Sequence, residues 1–302
     1  MILPDLVLST RANQHWQFSG MDSLENCIDK KHFKSYPYAV DYDYNSRGFR
    51  DSEWPEDIDQ LTHAIWCVGD SFTEGLGSPA EHAWPFLLQN QTNMKTINVS
   101  MDGASNDWIS RRSCDIINTI RPKKLIIHWS YTHRREDTIE NGQQIIWSEF
   151  YNSVKDITWP DCDNLKDFDQ LPERIQVEII NQHNWIHYKN CIDEHRKIYA
   201  IEDTTPMDDN INLLYNMQLV ESTAKNNTQV IHSFIPEFSF NIYNRKKNSD
   251  IVDFTKIINN ELQSIKCRII PEFHQLDLAR DGHHYDIITA NYFVDQIVNL
   301  TC

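Results

Sequence analysis

The sequence predicts an α/β protein built on a mostly parallel sheet. Short apolar runs recur at residues 64–68, 95–100, 124–129, 229–236 and 267–270, giving five strand candidates. Helical stretches alternate with the first three of them. A strand, turn and helix repeated in this way implies parallel pairing with right-handed crossovers. The composition suits a packed core, with 40% hydrophobic and 24% charged residues over 302 positions.

In chain order, residues 1–40 mix polar and aromatic types with weak periodicity. They predict irregular structure with one short helix around 22–31. Asn45-Ser46-Arg47-Gly48 reads as a turn, or equally as a surface loop. The run at 64–68 is short and apolar enough for a buried parallel strand. Gly69 is expected to break it, leaving Ser71 in the turn at the strand's C-terminal end, where open α/β sheets place their sites. Taken alone, Gly69-Asp70-Ser71 reads as well as a turn whose serine caps a helix. A helix is expected to begin near 79–84 and carry Phe86, Leu87 and Leu88.

The second strand, 95–100, runs into Met101-Asp102-Gly103. A helix over 108–119 follows, with Ile109, Ile116, Ile117 and Ile120 facing inward, and Arg121-Pro122 ends it. The third strand, 124–129, leads into Ser130-Tyr131-Thr132-His133-Arg134-Arg135-Glu136. Residues 137–200 break the rhythm, with helical stretches around 145–154 and 173–192. This is too long for a connection in a compact unit, so about 137–205 is expected to form a helical insertion, a lid or an interaction surface. An amphipathic helix is expected at 208–226 through Leu213, Leu214, Met217, Leu219 and Val220. The fourth strand, 229–236, precedes a polar loop whose Arg245-Lys246-Lys247 reads as a solvated face. Residues 251–265 are helical, 267–270 form the fifth strand, and a final helix covers 287–300. The division expected is an N-terminal extension, 1–60, packing on a domain at 61–302.

The formal net charge of -16 disfavours nucleic acid and anionic membrane as partners, since both require a basic surface. Seven cysteines without a CxxC pair read as buried thiols of a reduced, intracellular chain, and structural zinc lacks its ligand spacing. No signal peptide is visible, and no apolar run reaches the roughly 20 residues of a membrane span. The expected location is cytoplasmic or virion-associated. The Asn-, Ile- and Lys-rich composition hints at an AT-rich, viral genome. No cofactor or metal is expected.

Glycine is scarce, with eight in 302 residues against a usual share of about 7%. A chain this sparing keeps glycine where the backbone needs a positive φ or a close approach. Six of the eight, at 48, 69, 75, 77, 103 and 282, fall in segments notable on other grounds.

A serine hydroxyl becomes a nucleophile when a base takes its proton and a third group holds the base. Ser71 supplies the hydroxyl. Asp281-Gly282-His283-His284 supplies a base with an acid three residues before it, and a tight turn eased by Gly282 can aim both one way while His283 points elsewhere. Alone, such a pair is more often structural than catalytic. Acyl transfer also needs donors for the developing oxyanion, and the N–H groups of Ser71 and Gly103 are suited to that task. For Gly103 the plain alternative is a turn glycine.

Gly69-Asp70-Ser71, Gly103 and Asp281-x-x-His284, in this order and each read at a strand end, resemble the SGNH (GDSL-type) hydrolase superfamily. Asn45-Ser46-Arg47-Gly48-Phe49-Arg50 resembles the Asn-Ser-x-Gly-Phe-Arg segment upstream of the serine in one branch, and residues 81–88, with Trp84-Pro85, resemble the same branch downstream. The resemblance covers about 42–135 and 208–300. It implies a flavodoxin-like three-layer α/β/α sandwich with a five-stranded sheet. It also implies Ser71 as nucleophile, His284 as base, Asp281 as its orienting acid, and Ser71 and Gly103 in the oxyanion hole. A serine ester hydrolase or acyltransferase is then expected, acting on a small-molecule or glycan ester such as an O-acylated carbohydrate.

One departure stands out. The superfamily's Gly-x-Asn-Asp block, whose Asn is an oxyanion donor, is replaced here by residues 129–136, which hold no Asn. Thr132, His133, Arg134 or Asn106 are the candidate substitutes. Asp70, Trp129 and Arg134 are expected to line the substrate site, with Arg134 suited to an anionic group. Two alternatives stay open. In one the fold is kept by a non-catalytic binding or structural protein, with His284 out of reach of Ser71. In the other His283, His284 and Asp286 serve a metal-dependent hydrolase.

Overall fold

A computed structural model describes residues 6, 11–131, 134, 136–138, 144–146, 206–225, 227–236, 268–270 and 273–301. The N-terminal part holds a two-residue pair of strands, β1 (His15–Trp16) and β2 (Tyr42–Asp43), antiparallel to one another, with the short helices α1 (Leu24–Cys27) and α2 (Lys31–Ser35) between them. Two helices thus stand where one was expected. After α3 (Ile58–His63), the chain alternates through β3 (Ile65–Gly69), α4 (Ser71–Glu74), a 3-10 turn at Ala80–His82, α5 (Trp84–Thr92), β4 (Thr96–Ser100), α6 (Asn106–Thr119) and β5 (Lys124–Trp129). A small hairpin, β6 (Glu136–Thr138) and β7 (Gln144–Ile146), follows. Then come α7 (Pro206–Ala224), β8 (Gln229–Phe234), β9 (Arg268–Ile269) and α8 (Ile287–Thr301).

Five strands form one sheet in the order β4-β3-β5-β8-β9, and every neighbouring pair is parallel. In order of appearance this is 2-1-3-4-5, the flavodoxin-like doubly wound order, whose switch point lies between β3 and β5. Side chains alternate between the two faces, as pleating requires. Trp66, Val68, Ile97, Val99, Leu125, Ile127 and Trp129 join the core under α6 and α7, with Ile109, Ile116, Ile117, Leu213, Met217 and Val220. Ile65, Cys67, Ile126 and Ile231 face the opposite core under α5 and α8, with Trp84, Leu88, Phe293, Val294 and Ile297. Helices cover both faces, which makes three layers and explains why the strands read as near-continuous apolar runs.

Some expectations are corrected. Gly69 does not break β3; it is the strand's last residue, paired with Ser100 and His128. Leu219 is exposed on α7, because the inward stripe runs through Leu213, Met217 and Val220 at helical spacing. Phe86 is likewise exposed while Leu88 is buried. Ile145 and Ile146, assigned to a helix from sequence, lie in β7. The rest of the expected insertion, the basic run at 245–247 and the helix at 251–265 lie outside the described residues. Among the described residues, no helix is long and apolar enough to cross a membrane.

Candidate active site

Ser71 opens α4 directly beyond the C-terminal end of β3, beside the switch point. It is not the helix cap. Asp70 takes that part, its Oδ1 accepting the Phe72 N–H at 3.0 Å. Gly69 is demanded by space: a Cβ there would stand 2.0 Å from Thr73 Oγ1. Gly75 ends the turn in the left-handed region.

The side chain facing Ser71 comes from the far end of the chain. His284 Nε2 lies 2.8 Å from Ser71 Oγ, and His284 Nδ1 lies 2.5 Å from Asp281 Oδ2. All three residues are buried. Asp281 Oδ1 also accepts the N–H groups of His283 and His284, at 2.8 and 3.0 Å. The acid and base are not at the end of a sheet strand, as the sequence suggested. They sit on a turn before α8, closed by Ala279 N–H donating to the His284 carbonyl at 2.7 Å and Gly282 N–H to the Ala279 carbonyl at 2.9 Å. Burial works against an ionised Asp281, but the charge of His284 and three hydrogen bonds outweigh it and hold the carboxyl well below the usual carboxylate range. Burial likewise opposes the imidazolium of His284, and the Asp281 carboxylate overcomes it and raises the histidine above its ordinary value. Serine, imidazole and carboxylate thus form one line of hydrogen bonds, along which a hydroxyl proton can pass to Nε2.

Gly103 sits beyond β4 with φ +74°, in a turn closed by Ala104 N–H donating to the Met101 carbonyl at 3.0 Å. A glycine is required at such a φ in the third position of a turn. Neither the Ser71 nor the Gly103 N–H makes a hydrogen bond to another described residue.

Other expected site residues are placed differently. Asn106 is fully buried, and its amide is committed: Nδ2 donates to the carbonyls of Ser130 and Tyr131, while Oδ1 accepts the Ser130 N–H at 2.9 Å. Both amide hydrogens point at carbonyls, so Asn106 braces the end of β5 and is not an oxyanion donor. Asp70 is also fully buried, its second oxygen taken by Ser130 Oγ at 2.5 Å and Arg134 Nη1 at 3.2 Å, so it does not line a substrate site. Trp129 belongs to the core, its indole N–H donating to His232 Nδ1 at 3.0 Å. Arg134 is tied to Asp70 and Ser130 and lies over the Tyr131 ring. Thr132 and His133 lie outside the described residues.

The metal reading finds no convergence. Asp286 accepts from Ser78 Oγ, His82 Nδ1 and Tyr36 Oη, while His283 Nε2 lies 3.4 Å from the Tyr131 hydroxyl. Among the described residues, no cluster of three or more ligands suits a metal.

Sequence reasoning missed the supports. Arg50 is buried, not on a surface loop, and donates to the carbonyls of Asp41, Gly75 and Ser78, at 2.7, 2.6 and 2.8 Å. Gly77 has φ +77°, and a Cβ there would stand 3.1 Å from Asp281 Cγ, so the acid's turn packs directly on this glycine. Lys30 Nζ and His32 Nε2 hold the carbonyls of Asp281 and Ala279, at 3.0 and 2.7 Å. Of these, Arg50 and Gly77 carried a signal, in the Asn45–Arg50 segment and in the scarcity of glycine, whereas Lys30 and His32 carried none.

No protein-family model matches the chain, and no curated protein matches it. Several solved structures are similar to it. TesA is 13% identical, with 79% of this chain and 97% of that one covered, at a TM-score of 0.46. A member of the lipolytic G-D-S-L family from Veillonella parvula is 11% identical over 78% of this chain and 97% of that one, with a TM-score of 0.43. The psychrotrophic esterase EstA from Pseudoalteromonas sp., inhibited by monoethylphosphonate, is 12% identical over 79% and 96%, with a TM-score of 0.41. These overlaps are loose, and the functional reading rests on the geometry of the site itself.

Proposed function

We propose that the chain is a serine ester hydrolase or acyltransferase acting through Ser71, His284 and Asp281. The observation that carries this reading is the 2.8 Å approach of His284 Nε2 to Ser71 Oγ, with Asp281 behind the imidazole at 2.5 Å. A non-catalytic protein keeping the fold has no need of that alignment.

In the reaction, Ser71 Oγ bonds to the ester carbonyl carbon and its proton passes to His284 Nε2. Asp281 holds the imidazole in the tautomer that accepts there and stabilises its charge. The negative charge gathers on the former carbonyl oxygen, and the N–H groups of Ser71 and Gly103 receive it. The C–O bond to the leaving alcohol breaks, and that oxygen takes the proton from His284. Water, or an acceptor alcohol, then gives its proton to His284 as it attacks the acyl-serine. The acid or new ester departs and Ser71 regains its proton. The substrate class is a small-molecule or glycan ester, an O-acylated carbohydrate among them.

The test is covalent capture by a fluorophosphonate probe, alongside a panel of acetyl and short-chain esters. Wild type is expected to label and to hydrolyse at least one ester, while Ser71→Ala does neither, a loss of about 10⁴-fold or more. Equal ester activity in both proteins, or no labelling of wild type when a control hydrolase labels, overturns the reading.

A further inference from the structure

Glu74 ends the four-residue helix that Ser71 begins, and it is fully buried. Its carboxylate is completely engaged. Oε1 accepts the Tyr44 hydroxyl at 2.7 Å, and Arg11 Nη1 stands 3.1 Å from each oxygen. Arg11 is in turn stacked over the rings of Trp16 and Tyr44. The remaining bond leaves this cluster: Oε2 accepts the backbone N–H of Asp102 at 2.7 Å. Asp102 is the residue before Gly103.

That position matters because of how such a turn works. The direction of the Gly103 N–H is set by the plane of the 102–103 peptide, and that central peptide is the one that differs between turn types. Two bonds flank it here. Ala104 N–H closes the turn onto Met101, and Glu74 holds the peptide plane before Asp102. Glu74 also shares a rigid single turn of helix with Ser71, from which Leu76 N–H reaches back to the Ser71 carbonyl at 3.0 Å. The nucleophile and the Gly103 turn are therefore joined through one carboxylate, three residues after Ser71 and linked by one charge-assisted hydrogen bond, the stronger kind, to the residue before Gly103.

We propose that Glu74 is a positioning residue for the oxyanion donor: through Asp102 N–H it fixes the Gly103 turn relative to Ser71. This rests on the hydrolase reading above. A carboxylate is needed because three donors converge on it and only a group with two acceptor oxygens satisfies them all. A Gln offers one acceptor oxygen, and its NH₂ must face a donor.

The experiment compares wild type, Glu74→Gln and Tyr44→Phe as full chains, with each preparation counted by active-site titration. Glu74→Gln is expected to lower kcat by about 10- to 100-fold, short of the full loss of an oxyanion donor. The rate of fluorophosphonate capture falls by the same factor, because the phosphonylation transition state, in which Ser71 Oγ bonds to phosphorus as fluoride leaves, uses the same donors. KM changes little, and the acid limb of the pH profile stays in place, because His284 and Asp281 are untouched. Tyr44→Phe, which removes one support and keeps the Asp102 bond, gives a smaller fall in the same two rates. A wild-type kcat and capture rate per titrated site in Glu74→Gln overturns the proposal, and so does a fall accompanied by a shifted acid limb. If Glu74→Gln does not fold, an unchanged capture rate in Tyr44→Phe overturns it. A wild type that fails to label removes the hydrolase reading and this proposal together, whereas a labelling wild type matched by Glu74→Gln removes the proposal alone.

Discussion

Arg280 and Asp22 stand 258 residues apart in sequence and meet as a two-pronged ion pair, Nε to Oδ1 at 2.9 Å and Nη2 to Oδ2 at 2.5 Å. Arg280 immediately precedes the acid of the Ser–His–Asp line. Asp22 also accepts the Tyr42 hydroxyl at 2.7 Å, and that hydroxyl accepts the Gly77 N–H at 2.7 Å. Arg280 N–H closes the ring by donating to the Gly77 carbonyl at 2.8 Å. The N-terminal segment therefore holds the acid's turn from outside while Gly77 holds it from within.

This ring leads to a stability prediction. Asp22 is fully buried and the Arg280 side chain is 11% exposed. Removing one partner of such a pair strands the other, which costs about 3–5 kcal/mol, whereas replacing both with apolar groups is far milder. Asp22→Ala is expected to lower the urea midpoint of the full chain sharply, and Asp22→Ala with Arg280→Met to recover much of the loss. A single variant as stable as wild type would show that the pair contributes nothing to holding the turn.

The sheet and the line of Ser71, His284 and Asp281 were legible in the sequence because they rest on local signals. Apolar runs, glycines and short spacings identify β3, the chain reversal at Ser71 and the Asp281–His284 turn without knowledge of what packs on them, although the expected turn at Ser71 is the short helix α4. Asp22, Lys30, His32 and Arg11 were not legible. Each is an ordinary polar residue in a segment of weak periodicity, and its partner lies 63 to 258 residues away. Trp129 and Asp70 were misassigned for a related reason: a residue beside a site in sequence is not thereby beside it in space. The alternation of a strand turns Trp129 into the core, and capping turns Asp70 inward.

The electrostatics of the pair predict the pH dependence. Only neutral His284 can take the serine proton. Burial disfavours its charged form, but Asp281, with Asp102 and Asp70 beyond it, favours that form more, so the histidine is raised above its ordinary value of about 6.5. Activity is therefore expected to rise with pH through a midpoint above about 6.5. Asp281→Asn removes the main group opposing burial, so the midpoint moves to lower pH. The plateau rate also falls, by about 10⁴-fold, because an amide can hold the imidazole in the wrong tautomer. Profiles of kcat/KM against pH for the two proteins check both parts. A midpoint that rises in Asp281→Asn would contradict the assignment of Asp281.

Asn106 separates bracing from catalysis. Its amide holds Ser130 N–H and the carbonyls of Ser130 and Tyr131, all at the end of β5 beside the switch point. Asn106→Ala leaves these backbone groups without their partners, at about 1–3 kcal/mol for each buried group left unsatisfied. The melting temperature is expected to fall, while kcat per titrated site at low temperature changes less than about tenfold, in contrast to the 10²- to 10³-fold loss of an oxyanion donor. Asn106→Asp adds a second, sharper arm. Its carboxyl keeps an acceptor for Ser130 N–H but sets negative oxygen against two carbonyls, so the folded state favours the protonated form. The folded pKa then exceeds the unfolded value of about 3.9, and stability is retained at low pH and lost as pH rises through the folded pKa. Melting temperatures across that range check the sign. A stable Asn106→Ala that has lost about 10²-fold or more in kcat would instead return Asn106 to the oxyanion hole.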